Sequence, residues 1–174
     1  MKSKSLTEIC QIKTGKLDSN AFDIDGIYPF FTCAPEPLKI NTYAFDDDVI
    51  LLAGNNASGN FHCTKYTGKF NAYQRTYIIT PNAGYNIDYV YYSLNIQLEL
   101  LKKQSAGSQT KFLTMKILDG LQIPDLPLVK QIKISKSLAL LDAQIKRNNN
   151  MVQKLQYFNH ALNFSKKGGV RYAG

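Results

Sequence analysis

Two stretches of the sequence gather side chains suited to a polyanion. Between Asp48 and Asp88 there is no carboxylate, and Lys65, Lys69 and Arg75 lie there among Phe61, Tyr66, Phe70, Tyr73 and Tyr77. A second acid-free stretch runs from Glu99 to Asp119 and holds Lys102, Lys103, Lys111 and Lys116. Cations neutralise phosphates, while amides and hydroxyls hydrogen-bond base edges, so basic segments interleaved with aromatics and Asn, Gln, Ser and Thr equip a nucleic-acid face. On this chemistry Asn55, Asn56, Ser58, Asn60, Gln74 and Arg75 are the candidates for base contact. Lys65, Lys69, Ser108, Gln109 and Lys111 are the candidates for phosphate contact. Arg75 suits a guanine or a phosphate, and a salt bridge to a carboxylate elsewhere is its other use. The net charge of +8 agrees with such a partner, although solvated lysines on a merely basic protein would give the same sum.

Other chemistries fail on their spacing. Asp46, Asp47 and Asp48 invite a metal-dependent nuclease, but adjacent positions point different ways and no glutamate-x-lysine partner follows, so a turn before a strand explains them better. The segment 54–60 imitates a phosphate-binding loop in its strand-then-glycine layout. Asn60 and Phe61 stand where a lysine and a Ser or Thr would have to meet phosphate and magnesium, so NTP hydrolysis is not expected. Cys10, Cys33 and Cys63 are odd in number, widely spaced and without a CxxC, which argues against a disulfide framework or a ribbon-type zinc site. No cofactor or metal is expected.

These side chains need a scaffold, and 174 residues supply one core plus an arm. The run 49–53 is apolar and β-branched and reads as a buried strand. Segments 28–31, 61–65 and 73–80 also read as strands, with 65–72 a hairpin-like connection containing Gly68. Residues 6–12 form a short amphipathic start, and 88–103 reads as one helix with Asp88 as its N-cap. Pro124 and Pro127 close the domain. The fold class is therefore α/β (α+β): a globular domain with a mixed or antiparallel sheet and flanking helices, followed by one long C-terminal coiled-coil helix. Boundaries are placed at 1–128 for the domain, 129–165 for the helix and 166–174 for a flexible, Gly-rich tail. No secretory signal or membrane span is legible, so a cytoplasmic protein is expected.

The helix carries its own chemistry. Ile134, Leu138, Leu141, Ile145, Asn148, Val152, Leu155, Asn159 and Leu162 recur at alternating spacings of three and four, with no Gly or Pro inside 132–164. That is a coiled-coil seam, and Asn at two of its positions lowers stability while fixing register and strand number. At 1.5 Å per residue the helix is roughly 50 Å long, more than the domain needs, so a partner is expected along it. Folding back on its own domain is the plainer use of the same pattern.

In order along the chain, DDDVILLAG, AYQRTYIITP, YVYYSLN, GSQTKFLTMKILDGLQIP and LPLVKQIKISKSLALLDAQIKRNNNMVQKL resemble the specificity subunit of type I restriction-modification systems. The likeness covers about 6–158 and matches one target recognition domain with the spacer helix behind it. The segment IPDLPLVKQ departs from the family's tighter proline pair and acidic residue before the Gln. The resemblance implies a non-catalytic subunit that reads one part of a bipartite site in double-stranded DNA. It also implies methyltransferase subunits docked along the helix and, through them, restriction subunits. With one domain and one helix, the chain looks like half of such a subunit, and is expected to pair with a second copy or with the other half. No methyltransferase, helicase or nuclease motif is present. The competing reading is a protein-scaffolding module that uses the coiled coil without specific DNA binding.

Overall fold

The computed structural model describes residues 2–107 and 109–168, with the side chains of 161 and 163–168 left aside. The chain divides into two units, Met1–Ser135 and Lys136–Gly174.

The first unit is built on a six-stranded sheet with the spatial order Cys10–Thr14, Thr76–Pro81, Phe45–Ala53, Cys63–Ala72, Tyr28–Phe31 and Leu38–Ile40. A short β1 (Ser3–Ser5) leads into α1 (Leu6–Ile9), which is capped by a reciprocal Ser5 and Glu8 capping box. The sheet strands follow as β2 (Cys10–Thr14), β3 (Tyr28–Phe31), β4 (Leu38–Ile40) and β5 (Phe45–Ala53). After a two-residue β6 (Asn55–Asn56) come β7 (Cys63–Ala72) and β8 (Thr76–Pro81). Then come α2 (Ile87–Ile96), α3 (Leu98–Gln104), β9 (Lys111–Phe112), α4 (Met115–Asp119) and β10 (Gln122–Pro124). All sheet pairings are antiparallel except β3 with β7, so the sheet is mixed, as expected.

β5 is central because its apolar run has two faces to bury. Ile50 and Leu52 point to one side, where Cys63, Tyr77 and Ile79 join the apolar faces of α1, α2, α3 and α4 in the larger core. Val49 and Leu51 point to the other, with Phe31, Phe70, Ala72 and Ile78. A period of two with apolar residues on both faces is what a doubly covered strand requires. Phe70 stacks on Phe45 at 5.1 Å and meets Phe31 and Tyr66 edge-on at 5.7 Å, so these rings pack with the aliphatic side chains on the second face.

Several local expectations are corrected. Asp46, Asp47 and Asp48 belong to β5 and pair with Lys69, Gly68 and Thr67, because a strand pairs through its backbone whatever its exposed side chains carry. Segment 65–72 is continuous strand, not a hairpin connection, and the turn lies later, at 73–76. The start at 6–12 splits into α1 and β2. The helix expected over 88–103 breaks at Gln97, whose φ of −94° and ψ of 1° end α2 and begin α3. Asn86, not Asp88, caps α2: its side chain accepts the Tyr89 N–H, and Asp88 sits in the first turn.

The long helix α5 (Leu128–Gly168) begins in the first unit and forms the second. Its first turns are tied down by buried polar groups. Gln131, 1 % exposed, accepts the Asn86 N–H at 2.8 Å and donates to the carbonyls of Leu126 at 2.7 Å and Gly84 at 3.2 Å. Ser135, also buried, donates to the Asn86 side chain. Farther along, Leu141, Ile145, Val152, Leu155 and Leu162 are all more than half exposed. Among the described residues no helix is long and apolar enough to cross a membrane.

Candidate nucleic-acid interface

The connection between β7 and β8 is a tight turn closed by the Thr76 N–H to the Tyr73 carbonyl at 2.8 Å, which leaves Gln74 and Arg75 as its two central, exposed residues. Three other segments hold it. The Tyr73 N–H donates to Phe31 O and the Gln74 N–H to Leu17 O, both at 2.9 Å. The Arg75 carbonyl accepts the Gly54 N–H at 2.9 Å and the Cys33 thiol at 3.5 Å. At the side chains, Gln74 Nε2 donates to Asp18 Oδ1 at 2.8 Å. The Arg75 guanidinium makes no hydrogen bond or ion pair among the described residues, so five donors face outward from a backbone pinned on every side.

Gly54 joins this turn to the second cluster. Its N–H reaches Arg75, and its carbonyl accepts the Leu113 N–H at 2.8 Å, just past β9. A Cβ at Gly54 would lie 2.2 Å from Arg75 O, so only glycine permits this approach. β6 then pairs with β9, Asn55 opposite Phe112 and Asn56 opposite Lys111. The Asn56 side-chain oxygen accepts both the Ser58 and Asn60 N–H groups, which shapes the loop. Gly59, at φ 70°, has the stems of Lys102 and Lys111 against it, and Lys102 Nζ donates to Asn60 Oδ1 at 2.7 Å. Beneath, the buried Tyr77 hydroxyl donates to Leu113 O, and burial raises its pKa. The end of β5 thus assembles Asn55, Asn56, Ser58, Asn60, Gln74, Arg75 and Lys111, the base candidates and one phosphate candidate, around a single glycine.

The remaining phosphate candidates lie elsewhere. Lys69 sits opposite Asp46, at the far end of β5, with its ammonium 4.6 Å from the Tyr43 ring centre, and the Tyr43 hydroxyl raises its pKa. Lys65, opposite Ile50, is ion-paired with Asp88 and lies 5.3 Å from the Tyr91 ring. Gln109 is exposed, and Ser108 lies outside the described residues. Three contributors were missed: Lys102, Asp18 and Cys33. The first lies in the acid-free stretch, a signal that could have found it. The other two reach the turn from segments over 40 residues away, which no local pattern reveals. The surface presents mainly donors, the complement of phosphate oxygens and guanine edges. Among the described residues no group of three or more His, Cys, Asp or Glu is placed to hold a metal ion.

Comparison with known proteins adds a family likeness. Residues 1–157 match the family model described as the type I restriction modification DNA specificity domain. The chain is 38% identical over 172 residues to the EcoDI type I restriction enzyme specificity subunit of Escherichia coli, covering 96% of this chain and 38% of that protein. Among solved structures it superposes on the type I restriction-modification S subunit from M. genitalium with a TM-score of 0.70 at 16% identity, covering 84% of this chain and 40% of that one. On a chain from a type I R-M system assembly the TM-score is 0.74 at 17% identity, covering 92% and 43%. The two structures show a shared fold. The chain spans about two fifths of the length of each of these proteins.

Proposed function

Because this chain belongs to the type I restriction modification DNA specificity domain family, we propose that its first unit reads a short segment of duplex DNA with the surface at the end of β5. The observation that carries this reading is the turn 73–76, whose backbone is fixed by bonds from Leu17, Phe31 and Gly54 while the Arg75 guanidinium makes no hydrogen bond or ion pair among the described residues. A water-exposed bidentate donor on a fixed backbone is what major-groove guanine recognition needs, with only the side chain itself left to order on binding. Lys102 and Lys111 beside the loop 54–60 supply sequence-independent attraction to phosphates. The chain performs no catalysis in this scheme and operates in the cytoplasm as the targeting component, reading one part of a bipartite site.

The finer part of the proposal concerns α5. Its exposed apolar seam pairs with the same seam of a second copy, and the paired helices dock methyltransferase subunits, which in turn recruit restriction subunits. Two copies related by a two-fold axis would read an inverted repeat. The deciding experiment is selection from a random duplex pool by the purified chain, followed by titration across salt. Enrichment of a defined sequence, with affinity falling steeply as salt rises, is the expected result. Lys111→Ala should weaken binding to all sequences and flatten that salt dependence. No duplex affinity at low salt would favour a scaffolding role without DNA recognition.

A further inference from the structure

The amides beside Arg75 are not interchangeable, because the groups that hold them dictate which way round they sit. A carboxylate only accepts, so the Gln74 atom 2.8 Å from Asp18 Oδ1 is the amide nitrogen. That bond fixes the Gln74 amide, whose oxygen and second N–H are unused among the described residues. The residue is held at its other end too, by its backbone N–H to Leu17 O and by the bridge pairing Leu17 with Tyr73. Asn56 and Asn60 are held the opposite way. The Asn56 oxygen spends both lone pairs on the Ser58 and Asn60 N–H groups. The Asn60 oxygen meets the Lys102 ammonium, which can only donate. Among the candidate amides fixed by a hydrogen bond, Gln74 therefore keeps a fully open acceptor beside a donor, while Asn56 and Asn60 offer chiefly donors.

An adjacent acceptor and donor complement the N6 amino group and N7 of adenine in the major groove, whereas donors alone suit guanine or phosphate. We propose that Asp18 is a specificity-determining positioning residue, which acts through the Gln74 amide to select an adenine in the DNA site. This rests on the reading that the turn 73–76 faces the bases, and it adds both the base and a residue that touches no DNA. The converse follows from the same chemistry. With a neutral amide in place of Asp18, the Gln74 amide seats either way, and its turned-over form presents donors to guanine.

The test uses the full chain and its own selected duplex, with each adenine replaced in turn by guanine and by 7-deazaadenine, which lacks the N7 acceptor. Wild type should show one adenine at which either replacement weakens binding about tenfold or more, the usual worth of a bidentate contact. At that position Asp18→Asn should reduce the preference for adenine over guanine to within about twofold. Gln74→Ala should remove the preference, and adding Asp18→Asn to it should change nothing further. Affinity for scrambled duplex should hold or rise in Asp18→Asn, since a negative charge has left the DNA face, so the specific effect runs against the electrostatic one. A full adenine preference in Asp18→Asn, or equal loss on cognate and scrambled duplex, overturns the proposal while leaving DNA recognition standing. Failure of the wild type to select any sequence removes the DNA reading itself, and this inference with it.

Discussion

Gly54 and Arg75 show how much hangs on single positions. The glycine has no conformational peculiarity to advertise it, and its necessity comes from a backbone oxygen 2.2 Å from where a Cβ would be. Arg75 is the side chain whose truncation is most informative. Arg75→Ala should weaken the selected duplex by about 1–3 kcal/mol in a competition binding assay while leaving scrambled duplex nearly unchanged. Equal losses on both would reassign the guanidinium to a phosphate. The cysteines make a separate prediction. Burial pushes the thiols of Cys10 and Cys63 up to about 12, while Cys33 is partly exposed beside the Arg75 carbonyl. Since the thiolate is the nucleophile, iodoacetamide at neutral pH should alkylate Cys33 alone in the folded protein, read as a single mass increment on one peptide. Modification of Cys63 at a comparable rate would contradict its place in the core. The base candidates were nominated by residue type alone, and the fold brings them together at the end of β5. Asp18 was not, since its role depends on a partner 56 positions away.

At the scale of elements, the sequence patterns located β5 and the long helix but misjudged their neighbours. Three aspartates look like a turn, yet they occupy the first half of a strand because β7 supplies backbone partners there, with the side chains exposed and Asp48 accepting the Thr67 hydroxyl. The break at Gln97 was hidden because nothing in 88–103 is a helix breaker, and the bond from the Gln97 amide to the Gln122 carbonyl joins residues 25 positions apart. Gln131 is the opposite case, a polar residue on a helix face that becomes buried. Its oxygen and nitrogen satisfy the Asn86 N–H and the carbonyls of Leu126 and Gly84, so Gln131→Ala deprives a partly buried donor and two acceptors of their partner. A loss of about 1–3 kcal/mol is expected, seen as a melting temperature several degrees lower. An unchanged melting temperature would show that these groups find other partners without cost. Because the same residue links the start of α5 to the cap of α2, the substitution should also loosen amide-exchange protection at Tyr89 and Val90.

For the whole molecule the open seam is the feature that asks for a partner. Leu141, Ile145, Val152, Leu155 and Leu162 are each 51–61% exposed, and a run of apolar residues at heptad spacing is stable in water only when paired. Sedimentation of the wild type should report a dimer, and Leu141→Lys should dissociate it without lowering the melting temperature of the first unit, to which residue 141 does not belong. A monomer in both would reject pairing between copies. If pairing holds, the dimer should also bind an inverted repeat more tightly than a single half-site, by the effective concentration that tethering two reading surfaces creates.

What the sequence determined by itself is the set of features carried by local periodicity and composition: the two-faced apolar strand, the 3.5-residue seam, the acid-free basic stretches and the order of blocks that marks the family. Such signals survive in one dimension because each residue's neighbours in the chain are also its neighbours in the element. What only the tertiary structure decided is which polar side chains meet. The turn 73–76 is held in one conformation only because Leu17, Phe31 and Gly54 bring backbone groups to it from three separate segments. Hydrogen bonds act over about 3 Å of space and take no account of distance along the chain, so their partners are fixed only when the sheet has closed around them.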